Sequence, residues 1–157
     1  METLKLTAKD FKDTNYYYKE YCGKTDVSDF DGNIEIEEKL GYVKFESIKA
    51  KGYILALAGT GIKAGTGIKA GEGIKAGTGI TCKLAISWSI KMFAGICCWR
   101  NIDESEKTIT CGRLEPKNGA TVEYGIVKEL GMPNDVSLSG KEVEVKLDGK
   151  TYKAIIK

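Results

Sequence analysis

The chain has 157 residues, 42% of them hydrophobic and 29% charged, with a net charge of +2. That suits one soluble globular domain, or one solenoid with end pieces. It contains no histidine, which excludes Ser-His-Asp and Cys-His catalysis and His-ligated zinc or iron. No stretch approaches the ~18 uncharged apolar residues of a membrane span, and the N-terminus, Met-Glu-Thr-Leu-Lys, is no secretory signal.

In chain order, the first expected element is a helix from Ala8 to about Cys22. It opens on a capping-box variant formed by Thr7 and Asp10 and carries an aromatic stripe of Phe11, Tyr17, Tyr18 and Tyr21. The run Tyr16-Tyr17-Tyr18 reads either as a binding patch or as aromatic packing over a solenoid end. Residues 29–33, Asp-Phe-Asp-Gly-Asn, form a turn cluster. Gly32 stands at the wrong offset for a calcium loop, so calcium is rejected. Strands are expected over 33–40 and 42–48.

Residues 58–80 read AGTGIKAGTGIKAGEGIKAGTGI, a six-residue unit repeated almost without error. Self-similarity at a fixed period sets the architecture before any other signal. The unit also alternates with period two. Even positions hold Ile, Ala and Thr, with Glu72 once, and odd positions hold only Gly and Lys until Thr81. That is a β pattern with an apolar inner face and an outer face of bare backbone and charge. Ile62, Ile68, Ile74, Ile80 and Ile86 keep strict spacing, whereas Ile54 precedes Ile62 by eight, which suggests a two-residue bulge.

Such units can coil into a β-helix whose turns pair through their backbones, with isoleucine stacked on isoleucine. The repeat glycines are expected to supply corners and positive φ. Coil length decides what the lysines mean. At 18 residues per coil, which the Ile rhythm favours, Lys63, Lys69 and Lys75 lie on three different faces. At 12 per coil, Lys51, Lys63 and Lys75 would form a cationic ladder at ~4.8 Å rungs. After Ile80 the alternation continues through Trp88, Ile90, Met92 and Ala94 with bulkier inner side chains, as in a closing coil. Glu72 is assigned to a corner that reaches solvent.

The tail carries two expected hairpins. One pairs 108–114 with 120–127, and the other pairs 141–147 with 150–156 around Asp148-Gly149, a strong type I′ signal. The expected fold class is therefore mainly β: a short β-helix of three-hexad coils, an N-terminal helix and a C-terminal hairpin cap. The regions run 1–32, 33–100 with its repeat core at 48–98, and 101–157.

Charge is distributed unevenly. Residues 1–47 sum to −4, 48–100 to +7 and 101–157 to −1. A basic middle points to an anion-binding surface or to charges that keep solenoid faces soluble and unpaired. The five cysteines, Cys22, Cys82, Cys97, Cys98 and Cys111, are odd in number and unpatterned. With no export signal they read as reduced, mostly buried thiols in a cytoplasmic protein. Cys97 or Cys98 beside Arg100 is also a candidate reactive thiol. No P-loop spacing, Cys-x2-Cys pair or paired carboxylate is present, so no catalytic residue, metal or cofactor is expected.

The Ile-every-six rhythm is shared with the hexapeptide-repeat acyltransferases, whose activity relies on a histidine this chain lacks. The stretch IKAGEGIKAGTGITCKLAISWSIKMFAGICCWR more closely resembles small bacterial and phage proteins with tandem Ile-Lys-Ala-Gly-x-Gly hexads and a hydrophobic closing segment. The resemblance covers about residues 48–100 and implies a solenoid fold and a mobile-element context. By analogy it extends to phage anti-defence proteins, including anti-CRISPR inhibitors of host nuclease complexes. The expected function is a non-enzymatic module binding a protein partner through Tyr16, Tyr17, Lys63, Lys69, Lys75, Trp99 and Arg100. The alternatives are nucleic-acid binding by the basic middle, or self-assembly as a homo-oligomer.

Overall fold

The computed structural model describes residues 1–97, 100–133, 142–147 and 150–155, the last two segments by backbone alone. The strands in chain order are β1 (Glu2–Leu6), β2 (Phe11–Asp13), β3 (Tyr18–Tyr21), β4 (Gly32–Ile36), β5 (Gly41–Phe45), β6 (Ile48–Ala50), β7 (Ile54–Ala56), β8 (Thr60–Ala64), β9 (Ile68–Ala70), β10 (Ile74–Ala76), β11 (Ile80–Cys82), β12 (Ala85–Trp88), β13 (Lys91–Ala94), β14 (Thr108–Cys111), β15 (Arg113–Pro116), β16 (Thr121–Tyr124), β17 (Ile126–Glu129), β18 (Glu142–Leu147) and β19 (Lys150–Ile155).

From β4 to β17 the chain visits three sheets in rotation. Sheet A has the order β1-β4-β7-β10-β13-β16, sheet B the order β17-β14-β11-β8-β5-β3-β2, and sheet C the order β15-β12-β9-β6. Within these sheets every pairing is parallel except β2 with β3. This is a mainly β structure whose stacked parallel sheets are consistent with a solenoid. Ile62 pairs with Ile80, Ile68 with Ile86 and Ile74 with Met92, each an offset of 18. One coil earlier Ile54 pairs with Ile74 and Ile48 with Ile68, an offset of 20 that absorbs the eight-residue step from Ile54 to Ile62.

The five isoleucines of the strict series are all at most 1% exposed, and each contributes about 1.5–3 kcal/mol by leaving water. Above and below them the core is closed by rings. Phe11 packs edge-on against Tyr21 and Phe45, each at 5.7 Å between centroids. Further along, Trp88 is 1% exposed and donates its indole N–H to Thr121 O at 3.1 Å. Ile90, expected inside, is 54% exposed at a corner. Glu72 is exposed as expected.

The expected helix over 8–22 is absent. Only Ala8–Asp10 forms a single 3-10 turn, in which Asp10 Oδ2 accepts the Thr7 N–H at 2.7 Å. The rest becomes β2 and β3, because β5 offers an open edge and β3 pairs along it, Tyr18 opposite Tyr42. Aromatic residues suit that half-buried pleated surface. The expected hairpin over 108–127 is also absent: β14 to β17 are single strands of successive sheets, each continuing a parallel ladder. The second hairpin is present as the antiparallel pair β18–β19. Among the described residues no helix is long and apolar enough to cross a membrane.

Of the repeat glycines Gly59 has the expected positive φ, whereas those at 61, 65, 67, 71, 73, 77 and 79 do not. At Gly61, Gly71, Gly77 and Gly79 the role is close approach. A Cβ on Gly71 would fall within van der Waals contact of the Lys51 carbonyl of the preceding coil.

Candidate functional site

Alternation along β3, β5 and β8 places Tyr18, Glu20, Tyr42, Lys44 and Lys63 on the outer face of sheet B. The register aligns Lys12, Glu20, Lys44, Lys63, Thr81, Thr110 and Lys128 in one column across all seven strands. Gly61 lies opposite Tyr42. A Cβ at Gly61 would come within 2.7 Å of the Tyr42 ring, and one at Gly79 within 2.5 Å of its hydroxyl. The repeat glycines thus clear a floor over which Tyr42 lies, half-buried, its hydroxyl donating to Ser105 O at 3.4 Å. Burial pushes the Tyr42 pKa up.

The turn between β2 and β3 presents two more rings. Thr14 Oγ1 accepts the Tyr16 N–H at 3.2 Å and donates to Tyr18 O at 2.5 Å, a local side-chain turn. It leaves Tyr16 70% and Tyr17 73% exposed. Tyr16 stacks on Tyr18 at 5.4 Å, and Tyr17 meets Tyr18 and Tyr42 edge-on at 5.7 and 6.3 Å. Lys63 Nζ lies 4.7 Å from the Tyr17 centroid and 5.4 Å from that of Tyr18, and donates to the Tyr17 hydroxyl at 2.6 Å. Lys44 lies 5.1 Å from the Tyr18 centroid. Burial opposes the Lys44 charge, but Tyr18 and Glu20 outweigh it and hold its pKa above the ordinary value. Such cation–π contacts contribute about 0.5–1 kcal/mol each at exposed positions.

Beside this cluster, a groove of about 410 Å³ is lined by Tyr17, Tyr42, Lys63, Thr81, Thr110 and Lys128, with Ser105 and Glu106 on its far wall. That wall belongs to the segment joining β13 to β14. An Arg100–Glu106 fork holds it, with contacts of 2.9 and 2.5 Å, and Glu106 also accepts the Asp103 N–H at 3.1 Å. The guanidinium holds the Glu106 carboxyl down at about pKa 2.

The structure therefore brings Tyr16, Tyr17 and Lys63 together and places Arg100, through Glu106, at the groove wall. Lys69 pairs with Lys49 and Ser87 on sheet C, while Lys75 lies between Leu55 and Phe93 on sheet A. Neither joins the cluster. Trp99 and Cys98 lie outside the described residues. Tyr18 is singled out by the sequence only as part of the run Tyr16-Tyr17-Tyr18 and the aromatic stripe, and Tyr42, Lys44, Thr81, Thr110 and Lys128 escaped the sequence reading. The 18-residue offset from Lys63 points to Thr81, but nothing local points to Lys128.

Much of the basic middle is neutralised within the chain. Lys49 pairs with Asp29 at 2.5 Å, Lys51 with Asp31 at 2.6 Å and Lys91 with Glu123 at 3.5 Å. Cys82 and Cys111 are buried, Cys97 is half-buried and Cys22 exposed, all as free thiols. Burial raises the Cys82 pKa and, with Glu129 and Cys82 nearby, pushes Cys111 up to about 12. Among the described residues no group of His, Cys, Asp or Glu is arranged to hold a metal. No family model, curated protein or solved structure matches the chain.

Proposed function

We propose that this chain is a non-enzymatic interaction module that binds a protein partner through the outer face of sheet B. One observation carries the reading: Tyr16 and Tyr17 stand 70% and 73% exposed, yet Tyr16 is held by stacking on Tyr18 and by the Thr14 turn, and Tyr17 by edge-on contacts with Tyr18 and Tyr42 and the Lys63 hydrogen bond. Exposed but pre-ordered tyrosines supply large contact area at low entropic cost, which is the profile of an interface anchor. The solenoid behind them supplies rigidity, and the absence of histidine removes the commonest catalytic bases. The resemblance of residues 48–100 to phage proteins extends the reading to an inhibitor of a host defence nuclease complex.

Nucleic-acid binding is less well supported. The repeat lysines face three directions, and Lys12 and Lys44 share Glu20 at 3.2 and 3.6 Å.

The test is affinity capture from a bacterial lysate with the parent chain and a Tyr16→Ala/Tyr17→Ala/Lys63→Ala variant of matched thermal stability. A specific protein recovered by the parent and lost by the variant is the expected result. Equal recovery by both, or no reproducible protein, refutes the reading. Recovery of nucleic acid that falls steeply with added salt replaces it with the electrostatic alternative.

A further inference from the structure

The groove beside the tyrosine cluster has a spacing that specifies its occupant. Lys63, Thr81, Thr110 and Lys128 stand on four adjacent strands, each directly opposite the next. Adjacent strands are ~4.8 Å apart, so the two lysines are roughly 14 Å apart along the solenoid axis. An extended peptide advances ~3.4 Å per residue with alternate side chains on one face, so its positions i and i+4 are also roughly 14 Å apart.

The charges agree with this geometry. Among the described residues neither Lys63 nor Lys128 has a carboxylate at ion-pair distance, whereas Lys12, Lys44, Lys49, Lys51 and Lys91 each have one. Glu106 is the one acid on the groove wall, and Arg100 and the Asp103 N–H already engage it. The groove is thus cationic at both ends, with the Thr81 and Thr110 hydroxyls between.

We infer that this groove takes an extended acidic segment of the partner, with carboxylates four residues apart on Lys63 and Lys128. A small polar residue midway faces Thr81 and Thr110, and Tyr17 covers the peptide backbone. A nucleic-acid duplex fits less well, because phosphates recurring every ~3.4 Å of helix axis along each strand would set some of them against Glu106. The inference rests on the interaction-module reading and names the chemistry of the partner.

The test uses fluorescence anisotropy with the full chain and three labelled probes. The first is the peptide Thr-Glu-Val-Ser-Val-Glu-Thr, with glutamates four apart. The second, Thr-Glu-Val-Ser-Glu-Val-Thr, has the same composition with glutamates three apart. The third is a short single-stranded oligonucleotide of mixed sequence. The first peptide is expected to bind at least about fivefold more tightly than the second, and Lys63→Gln or Lys128→Gln each to weaken it by about fivefold, the scale of one well-placed charge pair. Lys117→Gln, on a turn remote from the groove, is expected to leave binding unchanged.

Equal affinity for the two peptides, no effect of Lys128→Gln, no measurable peptide binding, or tighter binding of the oligonucleotide overturns the inference. A captured partner that is lost with the tyrosines but retained by Lys128→Gln would leave the module reading standing and remove this groove from it.

Discussion

Replacing Gly71 by alanine tests whether close approach of coils, rather than backbone flexibility, is what the repeat glycines provide. A Cβ there would lie 2.7 Å from the Lys51 carbonyl carbon and closer still to its oxygen, both parts of the preceding coil's backbone. Relief requires the two coils to part by roughly 1 Å. That would stretch the Gly71 N–H to Ala50 O hydrogen bond from 3.0 Å beyond bonding distance. Losing that bond costs about 1–3 kcal/mol, and the overpacking adds about 1–3 kcal/mol. For a chain of this size the total, about 2–6 kcal/mol, lowers the melting temperature by about 4–24 °C.

Gly67 provides the internal control. It belongs to the same repeat, also lacks a positive φ, and a Cβ on it would meet only Ala85 O, at 3.7 Å. Gly67→Ala therefore removes unfolded-state entropy without a clash and is expected to stabilise by about 0.4–1 kcal/mol. Thermal unfolding followed by circular dichroism separates the two. If both variants melt at the parent temperature, or Gly67→Ala falls as far as Gly71→Ala, the close-approach argument is wrong.

Two further expectations concern titration. The Glu106 pKa is lowered to about 2 by Arg100, so the stability this pair confers is present above the ordinary carboxyl pKa and is lost as pH falls from there through about 2. Carboxyl carbon shifts measured by NMR should give a midpoint near 2, and Arg100→Gln should return it toward the ordinary range; a midpoint already there in the parent contradicts the fork. The Cys111 thiol, raised to about 12, favours the folded state at neutral pH, and that contribution is lost as pH rises from the ordinary thiol value through about 12. A thiol-reactive dye at mildly alkaline pH should therefore label Cys22 at once and Cys82 and Cys111 only after denaturation. Rapid labelling of all three in the native chain would mean that the core there is open.

The repeat segment was legible because its information is local. Ile62 to Ile86 at strict intervals, with glycine and lysine between, fixes which face turns inward, since side chains of a strand alternate whatever the strand pairs with. The same arithmetic sent Lys63, Lys69 and Lys75 to three sheets. It failed on Ile90, where parity continues but the chain turns a corner. It also mistook the purpose of the repeat glycines after Gly59, because steric crowding by a neighbouring coil leaves no mark in a linear sequence.

Local periodicity misled outright at the ends. Phe11, Tyr18 and Tyr21 are spaced as in a helix, yet this segment covers the edge of β5 and the ring of Phe45, both of which would otherwise be left to water. Pairing along β5 closes that strand's edge and buries Phe11 and Tyr21 against Phe45, a gain that an isolated helix in water lacks. The composition and rhythm of the chain thus determined by themselves that it winds into stacked strands with an isoleucine interior. Only the tertiary structure decided that Tyr17 meets Lys63, and that Lys128 extends the same column beyond the 95–107 segment. Those contacts join residues far apart in the chain, and their register is set by backbone hydrogen bonds between coils, which no run of neighbouring residues encodes.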